Sequence, residues 1–216
     1  MTLILDSASV DDARRAAAMG FITAITTNPV LLAKTMAEDQ RLKSREDVVA
    51  ALCDVFPGTV MVQLMADTAE EREAEGRRLV NLRPGRIGLK IPAVPDNFPL
   101  ARRFAADGYT VGMTTIFSAG QAYLACEAGA TIIFPYVNRS TRWLGDGLAL
   151  VRQMRAVVDA LKSPAQIIAA SLKTPDEAVE TLLAGAHGLT VPMEIIWGLG
   201  HHPLSDRAIA EFASAG

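Results

Sequence analysis

The stretch RIGLKI at residues 86–91 decides the fold. Side chains along a strand point alternately to its two faces, so Ile87, Leu89 and Ile91 form one apolar row suited to packing on helices. Gly88 and Lys90 take the opposite face. The preceding segment, TAEEREAEGRRLVNL at 68–82, reads as a helix opening on a Thr-x-x-Glu-like cap. Outward from this pair, short apolar or β-branched runs recur at 2–6, 22–26, 60–65, 109–114, 131–134, 166–171 and 187–191, each followed by a helical segment. One helix spans 145–162, and another, at 174–185, carries Thr174 as N-cap, Pro175 at its first position and Gly185 as C-cap. Eight consecutive βα units with no Ser/Gly/Pro-rich linker predict one α/β domain over residues 1–216, a closed (β/α)8 barrel. An open doubly wound sheet is the alternative. In the barrel, Lys90 points inside.

Composition agrees with one globular domain. The 216 residues, half of them hydrophobic, are enough for a sizeable core and lie near the lower end of length for such a barrel. A net charge of −3, with acids and bases mixed throughout, argues against nucleic acid or an anionic membrane surface as a partner. No apolar run approaches the roughly 18 residues needed to span a bilayer, and MTLILDSASV at the N-terminus lacks the basic start of an export signal. Cys53 and Cys126 sit in apolar or alanine-rich stretches and read as packed thiols. A cytoplasmic location is expected.

Interior polar groups in a barrel are costly unless paired or used, and barrel enzymes keep their active sites at the carboxyl ends of the strands. Strand phase brings Asp6, Thr26, Asn28, Gln63, Lys90, Thr114 and Ser171 to that rim, with Tyr136 just beyond the sixth strand. Seven of eight strands thus deliver a polar group to one face. Singly, several have structural readings: Asp6 as a turn cap, Asn28 before Pro29 as turn chemistry, Thr114 as an ordinary strand residue. Lys90 has two. It forms a structural ion pair with Asp6, its one obvious acidic neighbour, or it loses its proton in the apolar interior and attacks a ketone carbonyl as a free amine. A second cluster, Arg139 with Ser171 and Lys173 before the helix capped by Thr174, gathers cationic donors and backbone amides into an anion site. Arg142 and Trp143 suit surface or oligomer contacts equally. His201 and His202 lack a third ligand at metal spacing and read as solvent or subunit-contact residues, so no metal is expected.

Six motifs occur in one order: LILD at 3–6, TTNP at 26–29, LKIP at 89–92, TIFSAGQA at 115–122, PYVNR at 135–139 and ASLKTP at 170–175. Through them the chain resembles the small transaldolase family, most closely its fructose-6-phosphate aldolase branch, from the first strand to about residue 193. The resemblance implies a class I aldolase that cleaves fructose 6-phosphate or a similar ketose phosphate, reversibly, to dihydroxyacetone or a related ketone and an aldehyde phosphate. It implies no metal and no other cofactor. Lys90 would be the Schiff-base lysine, Asp6 the acid–base carboxylate, and Asn28 a partner of Lys90 and the donor hydroxyl. Gln63, Thr114 and Tyr136 would position water and protons, with Thr26 among the substrate-binding residues. Arg139, Ser171 and Lys173 would hold the phosphate. Transaldolases proper carry glutamate in place of Gln63 and phenylalanine in place of Tyr136, so hydrolytic release is the first expectation. A transaldolase passing a dihydroxyacetone unit between sugar phosphates is the alternative. A non-catalytic sugar-phosphate-binding barrel with a structural Lys90–Asp6 pair is a reading of another class.

Two departures from the relatives matter. Phe134 stands where they carry a small residue, so its ring is expected to narrow the donor pocket or make it less polar, favouring hydroxyacetone over dihydroxyacetone. The segment from about 193 to 216 reads as a helical tail used in subunit contacts, and it is shorter than in the aldolase branch. Homologous proteins form pentamers that pair into decamers, so a homo-oligomer of one of these sizes is expected.

Overall fold

The computed structural model describes residues 2–214, so residue 1 and the last two residues of the predicted tail lie outside the described residues. The strands and helices alternate in chain order: β1 (Thr2–Asp6), α1 (Val10–Met19), β2 (Ala24–Thr26), α2 (Pro29–Glu38), α3 (Arg45–Val55), β3 (Thr59–Gln63), α4 (Ala69–Leu82), β4 (Ile87–Pro92) and α5 (Asn97–Ala106). The second half continues with β5 (Val111–Ile116), α6 (Ala119–Glu127), β6 (Ile132–Pro135), α7 (Val137–Leu144), α8 (Gly147–Ala160), β7 (Gln166–Ala169), α9 (Pro175–Leu183), β8 (Gly188–Val191), α10 (Met193–Gly200) and α11 (Pro203–Ser214). Each strand pairs in parallel with the next, and β8 returns to β1 with Leu5 opposite Val191. The sheet is therefore a closed (β/α)8, or TIM, barrel, and the open-sheet alternative falls away.

Strand alternation divides the core into two shells. The outward rows, among them Val60 and Val62 on β3 and Ile87, Leu89 and Ile91 on β4, pack against helix residues such as Leu79 and Phe104. The inward rows close around Ile4, Ala24, Met61, Phe134 and Ile168. Gly88 and Gly112 make room for the bulkiest of these: a β-carbon at Gly88 would collide with Met61, and one at Gly112 with the Phe134 ring.

Local signals placed the helices well. Thr68 and Glu71 form the reciprocal cap of α4, and Thr174 caps α9 with Pro175 at its first turn. Gly185, expected as the C-cap, lies one residue past it: Ala184 caps the helix and Gly185, at φ 110°, turns the chain away. The fifth strand begins two residues later than expected because Tyr109 is taken by α5, its N–H bonding the Phe104 carbonyl and its ring meeting Phe104 edge-on at 6.0 Å. It also ends later, through an irregular register between Met113 and Ile116 with Thr115 at φ 58°. Among the described residues no helix is long and apolar enough to cross a membrane. Nothing in α11 is buried, and Leu204, Ile209 and Phe212 on it stand in the open.

Candidate active site

Lys90 occupies the middle of the barrel mouth. It is almost wholly buried, and its Nζ donates to the Thr27 carbonyl at 2.9 Å. No carboxylate of the described residues pairs with it. Burial pushes its pKa below the ordinary lysine value, and the charge of Asp6 opposes that shift without cancelling it. Phe134, on β6, lies alongside, its ring centroid 5.3 Å from Nζ. The ring is fully buried, so it walls the amine pocket from within.

Asp6 ends β1 and is turned toward β2, where Thr26 donates to Oδ1 at 2.8 Å. Of the two readings of Lys90, the structural ion pair with Asp6 is therefore not formed: a hydroxyl contact takes its place at the carboxylate. Thr26 Oγ1 also lies 2.5 Å from Thr190 Oγ1, deep in the barrel. Thr190 on β8 completes the ring of polar groups, and sequence reading missed it. The signal was present, since in GLTV the threonine shares an inward phase with Gly188.

Asn28 both ends the second strand's loop and starts α2. Its Oδ1 accepts from the N–H groups of Val30 and Leu31, each at 3.0 Å, so the turn-chemistry reading holds for the oxygen. The structure brings no hydrogen bond between Asn28 and Lys90; its amide nitrogen remains to donate elsewhere. Gln63 closes β3 opposite Lys90 and lines a rim groove of about 300 Å³ with Pro29, Met65, Pro92 and Val94. Thr114, buried on β5, lies 3.4 Å from the Tyr136 hydroxyl. The phenol ring meets Phe117 edge-on at 5.8 Å, and Phe117 in turn stacks on the exposed Trp143 at 5.4 Å. This aromatic wall also escaped sequence reading, because Phe117 follows β5 while Tyr136 and Trp143 belong to the start and the last turn of α7.

Arg139 is exposed on α7 with its guanidinium 4.8 Å from the Tyr136 ring centre. Ser171 follows β7 at φ 62°, a left-handed turn that leads the chain out of the sheet toward Lys173 and the cap of α9. Glu177 ties the two segments together, accepting from Asn138 at 3.0 Å and from the Lys173 N–H at 2.7 Å. Arg139 and the Ser171–Lys173 turn therefore sit on neighbouring strand ends, linked by the Tyr136–Ala170 bridge. Behind Gln63, the half-buried Arg45 and the buried Glu75 form an ion pair at 2.6 Å. Arg45 also donates to the Gln63 carbonyl, and Glu75 accepts from the N–H groups of Met65 and Ala66. This clamp fixes the end of β3 at Gln63 and the loop that follows it.

His201 pairs with Asp206 at 3.0 Å, and no cluster of three or more metal-binding side chains occurs among the described residues. Cys53 and Cys126 are both free thiols.

A closed parallel barrel with a buried amine, a carboxylate, hydroxyls and an amide at its carboxyl rim belongs to the class of barrel enzymes that act on small polar substrates. The family model described as Transaldolase/Fructose-6-phosphate aldolase matches residues 3–215. A probable transaldolase of Thermus thermophilus is 36% identical over 215 residues, covering 98% of this chain and 96% of the relative. Probable transaldolases of Prosthecochloris aestuarii and Sorangium cellulosum are 34% and 33% identical, each again over 98% of this chain and over 96% and 95% of the relatives. The chain belongs to the transaldolase/fructose-6-phosphate aldolase family, and it is an enzyme of the aldolase or transferase type.

Proposed function

We propose that the chain is a Schiff-base aldolase that cleaves fructose 6-phosphate or a similar ketose phosphate. One observation carries the reading: Lys90 is a buried amine inside the barrel with no carboxylate partner among the described residues and a depressed pKa. In the proposed reaction the Lys90 lone pair adds to the C2 carbonyl; uptake of one proton and loss of one water leave a cationic iminium. Asp6 takes the proton of the C4 hydroxyl, the C3–C4 bond breaks, and its electron pair neutralises the iminium as an enamine while the aldehyde departs. Protonation at C3 and addition of water then release the ketone and restore the amine. Thr26 and Thr190 orient Asp6, and the Thr114–Tyr136 pair with Gln63 handles the water and the C3 proton. Arg139, Ser171 and Lys173 hold the phosphate, and the Asn28 amide nitrogen meets a donor hydroxyl.

A second reading has its own support, since the relatives are named probable transaldolases. In it the enamine attacks a second aldehyde and does not take up a proton. Gln63 and Tyr136, by resemblance to the aldolase branch, favour release. We place Phe134 beside the donor, where it favours a ketone with fewer hydroxyls, and the open apolar side chains of α11 in contacts between subunits of a homo-oligomer in the cytoplasm.

Borohydride reduction with a ketose present should add the donor's mass to the peptide containing Lys90. A panel of ketose phosphates, assayed with and without acceptor aldehydes, separates release from transfer. Cleavage without acceptor supports the aldolase; turnover only with acceptor replaces it by the transaldolase; no adduct with any ketose removes both.

A further inference from the structure

An ammonium group carries three N–H donors, and the Lys90 nitrogen has one acceptor, the Thr27 carbonyl. What else meets it is the face of Phe134, with the ring centre 5.3 Å away. That distance is inside the range in which an aromatic quadrupole attracts a cation, and the attraction is strongest where water is excluded. The ring's place is prepared by the backbone. Gly112, opposite Lys90 in the β4–β5 register, offers no side chain, and any β-carbon there would strike the ring edge. The ring is wholly buried in one inner cluster with Ile4, Ala24, Met61 and Ile168, so it has little freedom to turn away.

We infer that Phe134 is a positioning residue for Lys90, its ring face serving as the electrostatic partner of the nitrogen when it is cationic, as ammonium and as iminium. This rests on the Schiff-base reading for its use in catalysis, though the contact itself does not. Cleavage needs an iminium that persists until the C3–C4 bond breaks, and a carboxylate pressed against the nitrogen would hold the resting amine protonated and unreactive. A π face is a weaker partner: it steadies the positive charge while leaving the amine able to lose its proton. Among the described residues, the charged group acting on Lys90 from the surrounding strands is Asp6 on β1. Gln63 on β3, Thr114 on β5 and the Tyr136 phenol beyond β6 complete its polar surroundings.

The test replaces Phe134 by 4-fluoro-, 3,4-difluoro- and 3,4,5-trifluorophenylalanine, which nearly preserve ring size while draining negative charge from its face. The Lys90 amine is titrated by NMR in lysine-labelled protein without substrate, its signal assigned by absence in Lys90→Met. The midpoint should fall stepwise with each fluorine, by about 0.5 to 1 pH unit in total. Phe134→Leu should reach a similar endpoint, and Gly112→Ala, which crowds the ring from its seat, should move the midpoint in the same direction. With subsaturating dihydroxyacetone, the borohydride-trapped fraction should fall about threefold to tenfold across the fluorine series. A midpoint unmoved by trifluorination, with Phe134→Leu altering thermal stability alone, would overturn the inference and leave the ring as packing. Because the titration uses no ketose, failure of wild-type trapping counts against the Schiff-base reading and not against this contact.

Discussion

Arg45 and Lys90 are basic groups held partly and almost wholly out of water, and the fold treats them in opposite ways. Arg45, at the start of α3 outside the barrel, is matched to Glu75, whose second oxygen is filled by two backbone N–H groups. Lys90, inside the barrel, meets one carbonyl and an aromatic face, although Asp6 stands on a nearby strand. Asp6 is turned to Thr26. A buried carboxylate with both oxygens satisfied locks a loop in place, whereas an amine denied a counter-ion is a local instability retained for its reactivity. The difference separates a support from a reagent.

The sharpest way to break this contrast is to remove each group in turn. Lys90→Met should abolish ketose cleavage, a loss of at least about a thousandfold, while leaving the urea midpoint unchanged or raised. Activity within tenfold of wild type would mean that another group does the chemistry. Glu75→Ala should do the reverse in emphasis: it strands Arg45 and two N–H groups, so unfolding free energy should drop by about 3–5 kcal/mol in urea titrations. A drop below 1 kcal/mol would show that the clamp carries no load.

Acidity sharpens the comparison further. At Glu75, burial raises the pKa, but the N–H groups of Ala66 and Met65 and then Arg45 outweigh it, leaving the carboxyl below its usual 4.5. Its contribution to stability is present above 4.5 and is lost as pH falls through the folded-state value. Lys90 is also lowered, so between its folded-state value and 10.5 the unfolded chain binds the extra proton and stability rises with pH. Wild type should therefore gain in urea midpoint across the alkaline window relative to Lys90→Met; parallel curves would contradict the buried neutral amine. The smallest effect concerns the missed hydroxyl. Thr190→Val should lower kcat/KM about threefold to tenfold by loosening Asp6, with stability moved by less than about 1 kcal/mol. Unchanged kinetics would confine Thr190 to packing.

Much of this was legible in the chain. All eight strands were legible as short apolar or β-branched runs between helical segments, and the inward phase of Lys90 follows from period-two alternation along β4, because a barrel strand packed on both faces leaves little tolerance for register error. Caps at Thr68 and Thr174 were legible because their partners lie three residues away. Contacts between distant segments were not. The Thr26–Thr190 pair joins residues 164 apart, and the Phe117–Trp143 stack joins the loop after β5 to α7, so neither pairing leaves a local trace. The role of Asn28 divided for a similar reason. Its oxygen obeys the local rule of a residue before proline at a helix start, while the role implied by resemblance depends on what its nitrogen faces.

Gly112 and Phe134 carry a last consequence, for how such a site can change through descent. The ring fills the space in which a side chain at position 112 would stand, so the two positions are not independent. A lineage that regrows a side chain at 112 while keeping the ring passes through a steric clash; one that trims the ring first passes through a void beside Lys90. The second route is the gentler where the inner shell can sag into the gap. Substitutions at this pair are therefore expected to be fixed in a preferred order, small before large, and the present combination resists reversal one step at a time.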